Sequence, residues 1–128
     1  MASYIESLGA FAPDNLIAGN DIPVKTGSGT IKSGSGKLER GTVLALSSGT
    51  AGTGKLLPLG TAAGSDETLT AYAILTDAVD ATSGDQVAEV YLTGQFNKNA
   101  LKVASSYTIT TADLVALRNG GIFVEIAV

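Results

Sequence analysis

The chain contains no cysteine, no histidine and no tryptophan. Without cysteine there is no disulfide, no thiol nucleophile and no thiolate zinc site; without histidine there is no imidazole base and no side chain whose ordinary pKa lies near neutrality. No Ser-His-Asp or Cys-His set can be assembled, and no two carboxylates sit where one would be raised for general acid work. The sequence therefore predicts no catalytic, cofactor-binding or metal-binding residues. Aromatics make up only 5% of the chain, so any core must be built from small aliphatic side chains. No run approaches the ~20 apolar residues that a membrane-spanning helix needs. The opening MASYIESLGAFAPDN has no basic region followed by an apolar core, and does not read as a secretory signal. The expectation is a protein that works where it is made, or inside an assembly built there.

What is present is β-like. The 128 residues suit one domain, and 45% apolar content with 16 glycines favours many short strands and turns. The clearest strand is Ala88 to Phe96, where Ala88, Val90, Leu92 and Phe96 share one face with Gly94, and Glu89, Tyr91, Thr93 and Gln95 take the other. Ahead of it, Asp77, Asp80, Ser83, Gly84 and Asp85 compose a tight polar loop. Leu69 to Thr76 alternates as well, with Leu69, Ala71, Ala73 and Leu75 on one face. Further strands are predicted at Thr30 to Lys32 and Thr42 to Leu46, lying near each other, at Lys55 to Leu59, near Leu101 to Val103, and in the closing IFVEIAV. One helix is predicted, from Ala112 to Asn119. It is capped by Thr110 or Thr111, carries Asp113 in its first turn and an apolar face of Leu114, Val115 and Leu117, and is stopped by Gly120 and Gly121.

Residues 1–25 differ from the rest. Tyr4, Ile5, Leu8, Phe11, Leu16, Ile17 and Ile22 keep no period, and Pro13 and Pro23 interrupt, so the segment reads as an extended arm ahead of a single β-rich domain at 26–128. The arm either packs on its own domain or offers its apolar residues to a partner.

Charge is uneven. Lys25 to Lys55 holds five bases against Glu39, whereas Asp66 to Glu89 holds six acids and no base, within a net charge of −4. The plain reading is solvated turns and strand edges; the sharper one is complementary patches meeting across a subunit boundary. Spaced bases without interleaved aromatics, and the wrong overall sign, argue against nucleic acid.

Three motifs invite chemistry. GTAGTGKL, Gly49 to Leu56, matches a phosphate-binding loop up to Lys55, but Leu56 replaces the required Ser or Thr and Pro58 opposes the helix that should follow. A glycine-rich hairpin tip fits better. Asp77, Asp80 and Asp85 lack calcium-loop spacing and read as turn formers. Tyr72, Tyr91 and Tyr107 would stack on a sugar if brought together, which keeps open an alternative: a small oligomeric module that binds sugars or a host surface from a virion.

PDNLIAG at Pro13 to Gly19, ERGTVLAL at Glu39 to Leu46, TGKLLPL at Thr53 to Leu59, AILTDAVDAT at Ala73 to Thr82, VYLTGQFN at Val90 to Asn97 and LVALRNGGIFV at Leu114 to Val124 resemble, in order, the head decoration proteins of lambda-like tailed phages and prophages. The resemblance implies a mainly β fold of the β-clip kind with little helix. It implies a non-enzymatic homotrimer on three-fold sites outside the expanded capsid, stiffening the shell against packaged DNA. The implied partner is the major capsid protein, with no nucleic acid, membrane or small-molecule substrate. Carried over, the arm would bind the capsid through Leu16, Ile17, Ile22, Pro23 and Val24.

Overall fold

The computed structural model describes residues 16–19, 22–48, 53–63, 67–104 and 107–125. Nine strands are described: β1 (Ile17–Gly19), β2 (Lys25–Ile31), β3 (Gly36–Leu38), β4 (Val43–Ser47), β5 (Leu56–Pro58), β6 (Leu69–Leu75), β7 (Val79–Ala81), β8 (Gln86–Asn97) and β9 (Ile122–Glu125). One α-helix among the described residues, α1 (Thr111–Asn119), completes the expected mainly β domain with a short helix near its C-terminal end. The arm's Tyr4, Ile5, Leu8, Phe11 and Pro13, the closing Ile126 and Val128, and Gly49 of the phosphate-loop lookalike lie outside the described residues.

The organising strand is β8. It pairs with β2 along one length and with β6 at Tyr91 and Val90, and the order β8-β2-β5-β4-β6 returns to β8, closing a ring of five strands. Closure removes most of the open edges that a small sheet would otherwise present. β5 stands between β2 and β4 and pairs with both, so the two strands expected near each other lie one strand apart in the same sheet.

Apolar side chains fall into two clusters, one on each side of this curved sheet. Inside the ring lie Ile31, Leu44, Leu56, Leu75 and Val90, with the ribbon β3–β7 supplying Leu38 and Ala81. Outside it, Leu16, Val43, Ile74, Phe96, Leu117 and Ile122 pack under β1, β9 and α1. β4 belongs to both: Val43 and Ala45 face out while Leu44 faces in, all fully buried. Burial on both faces is why VLAL reads as a continuous apolar run rather than an alternating one.

The expected alternation breaks in two strands, for one reason. Leu44 lies opposite Ala73 but Ala45 lies opposite Ala71, leaving Tyr72 as an extra residue in β6. Likewise Thr26 lies opposite Tyr91 but Lys25 lies opposite Thr93, leaving Leu92 extra in β8. Each bulge exchanges the faces beyond it. Leu69 and Ala71 therefore pack outside the ring while Ala73 and Leu75 fill it, and Phe96 sits outside although Val90 and Leu92 sit inside.

β2 begins at Lys25, so Gly27 and Gly29 are strand residues rather than turn residues. A Cβ on Gly27 would stand 2.7 Å from Leu92 Cδ1, and one on Gly29 2.6 Å from Leu56 Cδ1. The glycines make room for the leucines that fill the ring. The polar loop before β8 is likewise partly strand: β7 pairs with β3 across Asp80 and Lys37. Near Leu101 to Val103 only a single bridge forms, between Lys102 and Thr42.

α1 is capped by Thr110, whose hydroxyl accepts from the Asp113 backbone N–H while the Asp113 side chain accepts from that of Thr110. Leu117 alone of its residues is buried; Leu114 is half-buried and Val115 is 40% exposed, so the apolar face is narrower than the sequence pattern implies.

Candidate functional site

The five residues expected to bind a partner divide by burial. Leu16 is 1% exposed in the outer cluster, and its carbonyl accepts from the Asn97 N–H at 2.8 Å. Ile17 opens β1 opposite Phe96 and is half-buried against the same cluster. These two side chains are engaged by their own domain. Ile22, Pro23 and Val24 belong to the connection between β1 and β2; Ile22 is half-buried, Pro23 is exposed and Val24 is 43% exposed. Across that connection β8 advances only from Gln95, opposite Gly19, to Thr93, opposite Lys25.

Two β8 side chains fix the connection. Thr93 Oγ1 donates to the Pro23 carbonyl at 2.7 Å, and Gln95 Oε1 accepts from the Ile22 N–H at 3.2 Å. Gln95 is 8% exposed, and its Nε2 donates to Glu125 Oε1 on β9 at 3.0 Å. Both residues follow the Leu92 bulge, which exchanges the faces of β8 beyond it, so that Phe96 takes the outer cluster and Thr93 and Gln95 the side of this connection. The sequence placed them on a polar strand face and assigned them no role. The available signal is a glutamine next to Phe96, in a stretch of strand with apolar residues on both sides.

Gly94, between them, has φ +143°, and a Cβ there would stand 3.0 Å from the Phe96 ring and 3.3 Å from Val24 Cγ2. Its lack of a side chain lets the connection lie close over β8. The result is a corner held against β8 with an exposed apolar residue, Val24, at its tip.

The other candidate motifs resolve into structure. Lys55 pairs with Asp85 at 2.7 Å, and Leu56 enters β5, a strand antiparallel to β4, where a phosphate loop would lead into a helix. Asp85 also accepts from the Ser33 N–H at 2.7 Å, and Asp80 accepts from the Thr82 N–H at 3.0 Å, so both carboxylates brace turns. These bonds hold both carboxyls below the usual carboxylate range: the Thr82 hydroxyl and N–H act on Asp80, and Lys55 and the Ser33 N–H on Asp85. Among the described residues no group of three or more His, Cys, Asp or Glu is set to hold a metal ion. The basic and acidic stretches meet within the chain at Lys55–Asp85 and across the β3–β7 register at Lys37–Asp80, while Glu39 pairs with Lys102 at 3.8 Å.

Tyr91 and Tyr107 are engaged in separate contacts, and Tyr72 is exposed. Tyr91 receives the Arg40 guanidinium at its hydroxyl (2.5 Å), with that group 5.5 Å from its ring centroid, and packs on Phe96. Tyr107 lies over Gly60 and donates to Asp113, a bond that pushes its phenol pKa up. Tyr72, the bulged residue, is 44% exposed.

A closed β-ring with an anchored, partly exposed apolar corner is a framework suited to binding another surface. The family model of the bacteriophage lambda head decoration protein D matches residues 7–122, nearly the whole chain, and the chain belongs to that family. It is thus a phage capsid decoration protein, a virion component of the outer capsid surface. A search of curated proteins finds no match.

Proposed function

We propose that the protein binds as a homotrimer to three-fold sites on the outside of the expanded head and stabilises the shell against the pressure of packaged DNA. Its partner is the major capsid protein, reached through the arm of residues 1–25; nucleic acid, membrane and small-molecule substrates play no part. Within the arm, Leu16 and Ile17 are the anchor, while Ile22, Pro23 and Val24 stand nearest the shell. The observation that carries this reading is the exposure of Val24, at 43%, on a connection tied down on both sides by the core residue Leu16 and by β2. An apolar side chain held in water by a fixed backbone offers contact area at little ordering cost. Three such corners on one trimer would bind neighbouring capsid subunits with avidity.

Val24→Asp in the full chain tests the corner directly, because Val24 is exposed and the substitution leaves the core residue Leu16 in place. The variant is expected to remain a folded trimer and to lose most of its binding to expanded heads. Unaltered head binding would contradict the arm's role.

A further inference from the structure

The Gln95 side chain hydrogen-bonds both the arm's root and the strand near the opposite end of the chain. Its amide is oriented unambiguously, because the Ile22 N–H requires an acceptor and the Glu125 carboxylate requires a donor. With Oε1 toward Ile22 at 3.2 Å and Nε2 toward Glu125 at 3.0 Å, both needs are met by one residue that is 8% exposed. Glu125 is placed for this by the parallel pairing of β9 with β8, in which it lies opposite Asn97. The Leu92 bulge is the remaining requirement, since without the extra residue Gln95 would point toward the outer cluster and Phe96 toward Ile22.

From this arrangement we infer that Gln95 is a positioning residue for capsid binding: the Glu125–Gln95–Ile22 relay fixes the backbone that presents Pro23 and Val24 to the shell. The inference rests on the arm reading given above and names the residue through which that arm is held ready. Gln95 itself does not touch the capsid. Its contribution is to restrict the connection before binding, so that less freedom is lost when the shell is met.

The test measures two quantities on the full chain, amide hydrogen exchange in the free protein and affinity for expanded, undecorated heads. In Gln95→Leu the Ile22 amide is expected to lose its protection while Val43 and Ile74 in the barrel keep theirs, and head affinity is expected to fall roughly tenfold, as for loss of one well-placed polar contact. In Gln95→Glu two carboxylates oppose each other, and the same loss is expected. In the exchange variant Gln95→Glu/Glu125→Gln the carboxylate at 95 accepts both from Ile22 and from the new amide, and protection and affinity are expected to return. The exchange pair carries the comparison alone if the leucine variant does not fold. Unchanged Ile22 protection in the single variants, or no recovery in the exchange variant, would overturn the relay. Lost protection with undiminished head binding would overturn the inference by removing the arm reading beneath it.

Discussion

The rings of Tyr91 and Phe96 lie with their centroids 5.3 Å apart and their planes at 48°, although the two residues are an odd number of positions apart in a single strand. Regular alternation would place them on opposite faces. The extra residue, Leu92, brings them together and seats Phe96, fully buried, in the cluster that carries Leu16 and Leu117. Phe96→Ala is therefore expected to cost about 3–5 kcal/mol, a large part of the ~5–15 kcal/mol that holds such a domain together. Urea denaturation of the two proteins measures it.

Gly94→Ala tests the close approach over β8. The new Cβ would meet the Phe96 ring at 3.0 Å on a backbone whose φ is +143°, and a loss of about 1–3 kcal/mol is expected. Gly84 has no neighbour nearer than 4.0 Å, and Gly84→Ala is expected to stay within about 0.5 kcal/mol of the parent. Thermal denaturation of both variants makes the comparison.

The start of α1 couples to pH on the alkaline side. Tyr107 donates to Asp113, and its phenol pKa is raised chiefly by that bond. A raised folded pKa gives stability that is complete below the unfolded value of ~10 and is lost as pH rises through the folded one. Tyr107→Phe is thus expected to be less stable than the parent at neutral pH, with the gap closing in strong alkali. Thr110→Ala, which removes the cap itself, is expected to cost about 1 kcal/mol. Melting curves across an alkaline pH series check both.

Asp85 couples on the acid side. Lys55 and the Ser33 N–H hold its carboxyl below the usual range, so its contribution is present above ~3.9 and is lost as pH falls through the lowered folded value. Asp85→Asn is expected to be slightly less stable than the parent at neutral pH, the gap vanishing in strong acid. The effect is small because the pair is solvent-screened, and added salt is expected to shrink it. Acid titration of both proteins, followed by circular dichroism, measures the gap.

Much of this architecture was legible in the sequence where local rules decide it. The apolar run Val43 to Leu46, the strands β6 and β8, and the helix with Thr110 and Asp113 at its start and Gly120 at its end appear where the residues point, although the faces expected in β6 and β8 do not run through. What was not legible depends on partners distant in the chain. The bulges at Tyr72 and Leu92 arise from the register against β4 and β2, and Gly27 and Gly29 look like turn residues until Leu92 and Leu56 are seen to need their space. At the candidate site, the apolar content of Leu16 to Val24 was readable, but not its division into a buried anchor and an exposed corner. Nor was the role of Gln95, whose two partners lie 73 and 30 residues away.

We propose that this capsid decoration protein binds expanded phage heads as a trimer. The most direct measurement is the mass of the purified protein in solution, followed by co-sedimentation with expanded, undecorated heads and counting of the bound copies. The account predicts a trimer in solution that pellets with the heads and saturates at three copies for each three-fold site. A protein that stays in the supernatant with expanded heads, or binds them as single copies without regard to the three-fold sites, would contradict it.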